Sequence, residues 1–583
     1  VLATVSDDKT ARVWDLATGK LLRTLRPPIG LGPEGKLAAV AVSPDGRIAA
    51  CGGCTGYSWD KAYSIYLFVL QTGALVRRLS GLPSGLNHLA FSPDGGLLAA
   101  ALGAGGVRLY RTDTWELADV DWDYEGRSNW VAFDARNRLA ATGVDGFVRL
   151  YATGPQMLRL LAKSKAPGGK LPFAVVFSPD AERLALGYAD ARRIDVFDVR
   201  LVDVFGVKRV DTFDGRDIAL LFSPDTASVY NGNLSDAAWS SDGRTLYAGG
   251  RYETHDQCVV SAWAEAGKAP RRELQAASGT VSGLVPLADG GLAFGASDPA
   301  WGVIGPDGAR RLLVTPVIAN FSALGEGFRL AADATTLRFS YESYGRSPAQ
   351  FALRTRALQP SDAAPQLLPP RVAAPELEIA AWINTYAPTC NGAPLPLERF
   401  EMSRSLAIAP DGQRFVLGTE RFVRLFDRKG RELSHASAPG PVWAVNYAPN
   451  GRCVVAALGD GTIRWYAVKD DKSLQEILAF FPHADQKRWA LWTPSGYWHA
   501  SPGGAELLGW QVNKGAEREA DFLPASTHHP EFRRPDVIDA LLSTLDEDAA
   551  LRRADAAADH RLPSSSAQPS PTPSSWAQLL LYR

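Results

Sequence analysis

The chain has 583 residues, with 62 Lys and Arg against 63 Asp and Glu, a net charge of −1. That balance gives no electrostatic footprint for a nucleic-acid backbone, so direct nucleic-acid binding is not expected, and no stretch approaches the roughly 18 apolar residues of a membrane-spanning helix. The length exceeds one ordinary core and suggests two domains, while 54 Gly and 39 Pro, spread along the chain, point to many tight turns.

The chain opens with Val1-Leu2-Ala3-Thr4-Val5, followed by SDDKTARVWDLATGKLLRTL (6–25). An Asp-containing turn feeds the strand Ala11-Arg12-Val13-Trp14-Asp15, and a Thr-Gly turn leads to another strand. A second phrase then recurs: AVSPDGRIAA (41–50), AFSPDGGLLAA (90–100), a degenerate VAFDARNRLAATG (131–143), VFSPDAERLAL (176–186), AWSSDGRTLYAG (238–249), AIAPDGQRFVLG (407–418) and YAPNGRCVVAALG (447–459). Each reads as a strand, a tight turn and a second strand. Pro fixes φ, and Asp with Gly supplies the side-chain hydrogen bond and the positive φ of a hairpin. Asp45, Gly46, Asp94, Gly95, Asp180, Asp242, Gly243, Asp411 and Gly412 are therefore structural turn residues. The first phrase returns as GAGGVRLYRTDTWEL (103–117), GVDGFVRLYATG (143–154), GTERFVRLFDRKGREL (418–433) and GDGTIRWYAVKDD (459–471).

Together the two phrases make four antiparallel strands in about 40 residues, a period that buries both sheet faces by radial stacking as a β-propeller. The fold class is all-β, with tandem propellers of about 12–14 blades in total. The opening strand matches the second strand of the repeat, so the first blade is incomplete in this chain. The expected division is a first propeller over 1–230, a second over 231–520, and a C-terminal extension over 521–583. Within the extension, 534–557 has helical spacing, with Val537, Leu541, Leu542 and Leu545 near one face. A Ser/Pro linker follows at 562–575, and WAQLLLYR (576–583) reads either as a docking peptide or as the remnant of a truncated reading frame.

The period, the SPDG turns and Trp14-Asp15 resemble the WD40 family, in the degenerate form usual in bacterial members; the Gly-His pair common before the first strand is missing. The run WALWTPSGYWHASPGGAELLGWQVNKG (489–515) reads as the last blade, with Trp489, Trp492, Trp498 and Trp510 filling the widening gap between blades. With ADFLPAS and FRRPDVIDALL after it, it is similar to the end of the WD-repeat region in large bacterial proteins that also carry a caspase-like peptidase. The resemblance implies a caspase-like peptidase or a defence signalling complex as company, and no activity in this chain.

Chemistry is sparsely written. The eight histidines (His88, His255, His435, His483, His499, His528, His529, His560) form no HxH or HExxH set. Five cysteines are a poor disulfide framework and lean towards a cytoplasmic setting. Cys51 and Cys54 have no helix pattern after them to make a redox motif, and Cys390 and Ser501 lack a partner in sequence. No catalytic residue, metal ligand or cofactor is expected. The expected function is a non-catalytic protein-interaction scaffold; the alternative is a hydrolase or lyase with its site in a propeller channel. Aromatic and Arg residues in rim insertions are the candidate partner-binding set: Tyr57, Trp59, Trp122, Tyr124, Arg251, Tyr252 and Tyr386.

Overall fold

The computed structural model describes residues 1–200, 218–255, 257–361, 365–398, 401–559 and 577–581. The Ser/Pro stretch 562–575 and His560 lie outside them. The molecule is almost entirely antiparallel β, and twelve sheets form among the described residues, most of them four-stranded meanders.

The Ser-Pro-Asp-Gly phrase closes its hairpin by one device, repeated. At the first copy Asp45 Oδ1 accepts from the Ser43 hydroxyl at 2.5 Å and from the Arg47 N–H at 3.0 Å, while Ser43 Oγ accepts from the Ile48 N–H at 2.9 Å. The same three bonds recur around Ser92 and Asp94, Ser178 and Asp180, and Ser240 and Asp242. Gly46, Gly95, Gly243 and Gly412 have φ of 71°, 75°, 70° and 67°, the left-handed region that glycine enters without a Cβ penalty. Ala181 fills the same position at φ 58°.

Contacts divide the chain into two units, residues 1–316 with 514–519, and residues 317–513 with 520–583. The boundary expected at 230/231 thus falls inside the first unit. Seven sheets in chain order make up that unit, beginning with Leu2–Val5, Ala11–Trp14 and Leu21–Leu25. The seventh (Val281–Pro286, Leu292–Ala296, Trp301–Ile304, Arg310–Val314) returns to the first: Trp301 lies 5.6 Å from Trp14. The ring therefore closes with strands that carry a weak form of the repeat, and that non-local contact sets the boundary. Second strands are rich in small residues, Ala49-Ala50, Ala99–Ala101 and Ala140-Ala141, all fully buried, whereas third strands carry Tyr66, Phe68, Tyr151, Phe197 and Trp263. Small side chains suit the crowded inner strands, and large rings fill the space where the sheets splay apart.

The second unit has five sheets. Its largest has six strands, Val442–Tyr447, Cys453–Leu458, Ile463–Lys469, Ser473–Pro482, Trp489–Trp492 and Trp498–Ala500. Run 489–515 is therefore not a separate blade. Its first two strands extend the preceding sheet, because Ala479–Pro482 continues past the usual strand end and pairs with Trp489–Trp492. Its third, Leu508–Val512, is the centre of another sheet, between Asp521–Pro524 and Ala577–Leu581. Residues 577–581 are thus a paired strand.

Helices Pro535–Thr544 and Glu547–Asp559 replace the single expected helical stretch. Leu545, with φ 53°, ends the first. Val537, Ile538 and Leu541 are fully buried in one core with Trp489, Trp498, Trp510 and Phe532, so the extension is part of the second unit's interior.

Candidate interaction surface

In an antiparallel four-stranded meander the connections alternate ends, so the link between second and third strands shares an end with the link leaving the fourth. The SPDG turns occupy the opposite end. Tyr57 and Trp59 lie in the second-to-third link of the second sheet, in the short helix Tyr57–Asp60. Trp122 and Tyr124 lie in the outgoing link of the third sheet, after Leu117–Asp121. Arg251 and Tyr252 follow Leu246–Gly249 in the sixth. Topology therefore gathers six of the seven candidates at one end of the first unit, while Tyr386 belongs to the second.

Their exposure separates them. Trp122 is 58% exposed and Tyr57 44%; Tyr386, in its own unit, is 45% exposed. The Tyr57 ring is braced by Tyr63 at 5.3 Å and by Lys61 Nζ at 5.5 Å. Trp59 and Arg251 are half-buried. Tyr252 is 1% exposed: its hydroxyl donates to Glu273 at 2.6 Å, and the Arg271 guanidinium covers its ring at 4.9 Å. Tyr124 packs its ring on Arg149 at 3.9 Å, and its hydroxyl meets that of Tyr151 at 2.9 Å. Tyr252 is thus enclosed, whereas Tyr124 is half-buried, with an arginine against each ring.

At the corresponding end of their own sheets, third strands of each unit carry an arginine pattern that the rim residues alone do not reveal. Third strands repeat a sequence of apolar residue, Arg, apolar residue and aromatic: Ala11–Trp14, Val107–Tyr110, Val148–Tyr151, Val423–Phe426 and Ile463–Tyr466. Arg12 pairs with Asp8 at 2.6 Å, Arg149 with Asp145 at 2.5 Å, and Arg464 with Glu476 at 2.7 Å and Asp460 at 3.6 Å. Arg424 is held by Glu401 at 2.5 Å and Glu432 at 2.7 Å. Arg108, 8% exposed, has no carboxylate partner among the described residues. Its guanidinium reaches the Gly81 carbonyl at 3.3 Å and lies 5.1 Å from the exposed Trp122 ring.

The second unit has a cavity of about 610 Å³ lined by Trp489, Trp498, His499, Arg356 and Arg533. Arg356 pairs with Asp539 at 2.6 Å, and Arg533 lies 6.0 Å from the Trp498 ring. Burial, with Arg356 and Arg533 beside it, holds the His499 pKa below its ordinary value. Ser501 Oγ is engaged with the Trp489 backbone, accepting its N–H at 2.9 Å. Trp492 and Trp510 are buried in the core. Burial raises the Cys51 thiol to about 12 and also raises that of Cys390. No group of three or more His, Cys, Asp or Glu suited to a metal ion occurs among the described residues, and no helix among them is long and apolar enough to cross a membrane.

Comparison with known proteins agrees with this architecture. Residues 430–466 match the family model "WD domain, G-beta repeat". The chain is 35% identical over 96 residues to the small ribosomal subunit protein RACK1y of Oryza sativa subsp. japonica, covering 16% of this chain and 24% of that protein. It is 31% identical over 121 residues to cross-pathway control WD-repeat protein 2 of Flammulina velutipes, covering 20% of this chain and 33% of that protein. The chain thus spans a quarter to a third of the length of these relatives. It contains a WD40 repeat and shares partial similarity with WD-repeat proteins.

Proposed function

We propose that this chain is a non-catalytic protein-interaction scaffold that recognises its partner at the end of the first unit carrying Tyr57 and Trp122. The observation behind this reading is Trp122: a large ring more than half exposed, yet fixed over a buried arginine on a closed ring of sheets. A rigid exposed aromatic loses little conformational entropy on binding and makes a strong contact anchor. Similarity to WD-repeat proteins supports the same class, although likeness of fold does not specify a partner.

The finer reading is an adaptor or regulator of a caspase-like peptidase or of a bacterial defence complex, working in the cytoplasm. Its support is the resemblance of residues 485–545 to the WD-repeat region beside such peptidases. The hydrolase or lyase alternative is disfavoured at the cavity of the second unit, where the near neighbours of His499 include two cations and Ser501 Oγ is taken up by backbone.

Affinity capture from the native cell with the full chain, followed by mass spectrometry, tests the scaffold reading. A stoichiometric protein should copurify, and a Tyr57→Ala/Trp122→Ala double variant with unchanged melting temperature should retain less than a tenth of it. Equal recovery by the double variant would contradict the assignment of this end.

A further inference from the structure

Arg108 is the member of this arginine series that has no carboxylate partner among the described residues. In three sheets the residue four places before the strand arginine is an aspartate: Asp8 before Arg12, Asp145 before Arg149, Asp460 before Arg464. The residue after each aspartate has positive φ: Lys9 at 70°, Gly146 at 86° and Gly461 at 76°. Each aspartate also accepts the N–H two residues on, from Thr10 at 3.1 Å, Phe147 at 3.2 Å and Thr462 at 2.9 Å. In the third sheet the equivalent turn is Gly103-Ala104-Gly105-Gly106, with Gly105 at φ 93°. The turn shares the positive φ after the fourth residue before the arginine, departs from its siblings at Gly106, whose φ is also positive at 70°, and has exposed Ala104 where they carry a carboxylate.

The arginine beneath is built as though the carboxylate were there. Arg108 is buried, its Nε has no hydrogen-bond partner among the described residues, and the buried Tyr110 hydroxyl lies beside its guanidinium. A buried guanidinium without a counter-charge is costly, and an opposite charge brought to it recovers much of that cost. The Trp122 ring partly compensates through its π face, as a cation under an aromatic ring does.

We propose that Arg108, roofed by Trp122, is a socket for an acidic side chain of the protein partner, an Asp or Glu carboxylate that takes the place occupied by Asp8, Asp145 and Asp460 in the sibling turns. The proposal rests on the interaction surface assigned above and specifies the chemistry it recognises. A carboxylate is the source because that group fills the three equivalent positions within this chain. An acidic residue next to an apolar one fits the site, the first meeting Arg108 and the second Trp122.

Two measurements on the full chain test it. Ala104→Asp should fill the socket from within and raise the melting temperature by about 1–3 °C; an unchanged or lower melting temperature would overturn the shared geometry. The second uses fluorescein-labelled nonapeptides with Glu, Asp, Gln, Asn or phosphoserine at the centre and varied apolar flanks, followed by fluorescence anisotropy. Glu- or Asp-centred peptides should bind at least tenfold more tightly than their amide counterparts. That preference should vanish in Arg108→Gln and in Ala104→Asp. Trp122→Ala should weaken all peptides while the acid preference persists, and this separates failure of the socket from failure of the surface. Absence of binding by every acidic peptide, an equal preference in Arg108→Gln, or phosphoserine far exceeding Glu would each overturn the carboxylate socket. If Trp122→Ala abolishes partner capture and Arg108→Gln does not, the surface stands and the socket falls.

Discussion

At the scale of single residues, backbone conformation and burial decide what each side chain can do. Gly46 has φ 71°, and a Cβ placed there would meet nothing within 4 Å. Gly46→Ala therefore isolates the conformational cost, and the fold should lose about 1–2 kcal/mol in denaturant unfolding. Asp236 is the opposite case, a carboxyl enclosed at 2% exposure whose pKa burial raises from 3.8 to about 7. Between those values the unfolded chain has released the proton and the folded chain still holds it. The folded state binds more protons in that window, so this group's contribution is full below 3.8, is lost as pH rises to about 7, and is level above. Asp236→Asn should flatten the slope of melting temperature against pH between 4 and 7, and an unaltered slope would contradict the assignment.

Residue identity was also the most legible level in the sequence, within limits. The turn aspartates and glycines were readable because their chemistry is local: Asp45 bonds within two residues on either side. The half-burial of Tyr124 and the burial of Tyr252 were not readable, because what covers them, Arg149 and Arg271, comes from another strand. The Asp-x-x-x-Arg pairs, and the Ala104 that breaks the series, are written in the sequence. Their meaning depends on knowing that the arginines are buried.

At the scale of elements, each hairpin and each helix has a small number of determining contacts. Ser92 is fully buried, accepts from the Leu97 N–H at 2.9 Å and donates to Asp94 at 2.6 Å. Ser92→Ala leaves a buried N–H short of one acceptor and should cost about 1–3 kcal/mol. Leu541 sits at 0% exposure on the inner face of Pro535–Thr544, in the core that holds Trp498 and Trp510. Leu541→Ala should cost about 2–5 kcal/mol, and deletion of 521–583 should unfold the second unit. A deletion variant with an unchanged melting profile would show instead that the extension is an appendage. Helical periodicity around Val537 and Leu541 was visible in sequence, because an amphipathic stripe is a local pattern. The pairing of Ala577–Leu581 with Leu508–Val512 was not, since strand partners so far apart leave no mark on either segment.

At the scale of the whole molecule, repetition in the sequence announced stacked antiparallel sheets, and closure decided which sheets belong together. The copies around Pro44, Pro93 and Pro179 are explicit, whereas the seventh sheet has Asp289-Gly290, without the Ser-Pro, between its first and second strands. Its place in the first unit depends on Trp301 meeting Trp14 across almost the full length of that unit, and a boundary drawn from repeat strength alone falls short of it. The result for the first unit is a frame whose two ends differ: one carries the short SPDG-type turns, the other the irregular links with Tyr57, Trp122 and the arginines Arg12, Arg108 and Arg149 beneath them. That asymmetry is the basis for assigning recognition to one end. The most direct test is quantitative partner capture from the native cell by the wild-type chain, by Trp122→Ala, and by Arg244→Ala, whose exposed side chain lies at the SPDG end. The account predicts a copurifying protein that is lost with Trp122→Ala and retained with Arg244→Ala. Capture that survives Trp122→Ala but fails with Arg244→Ala would contradict it.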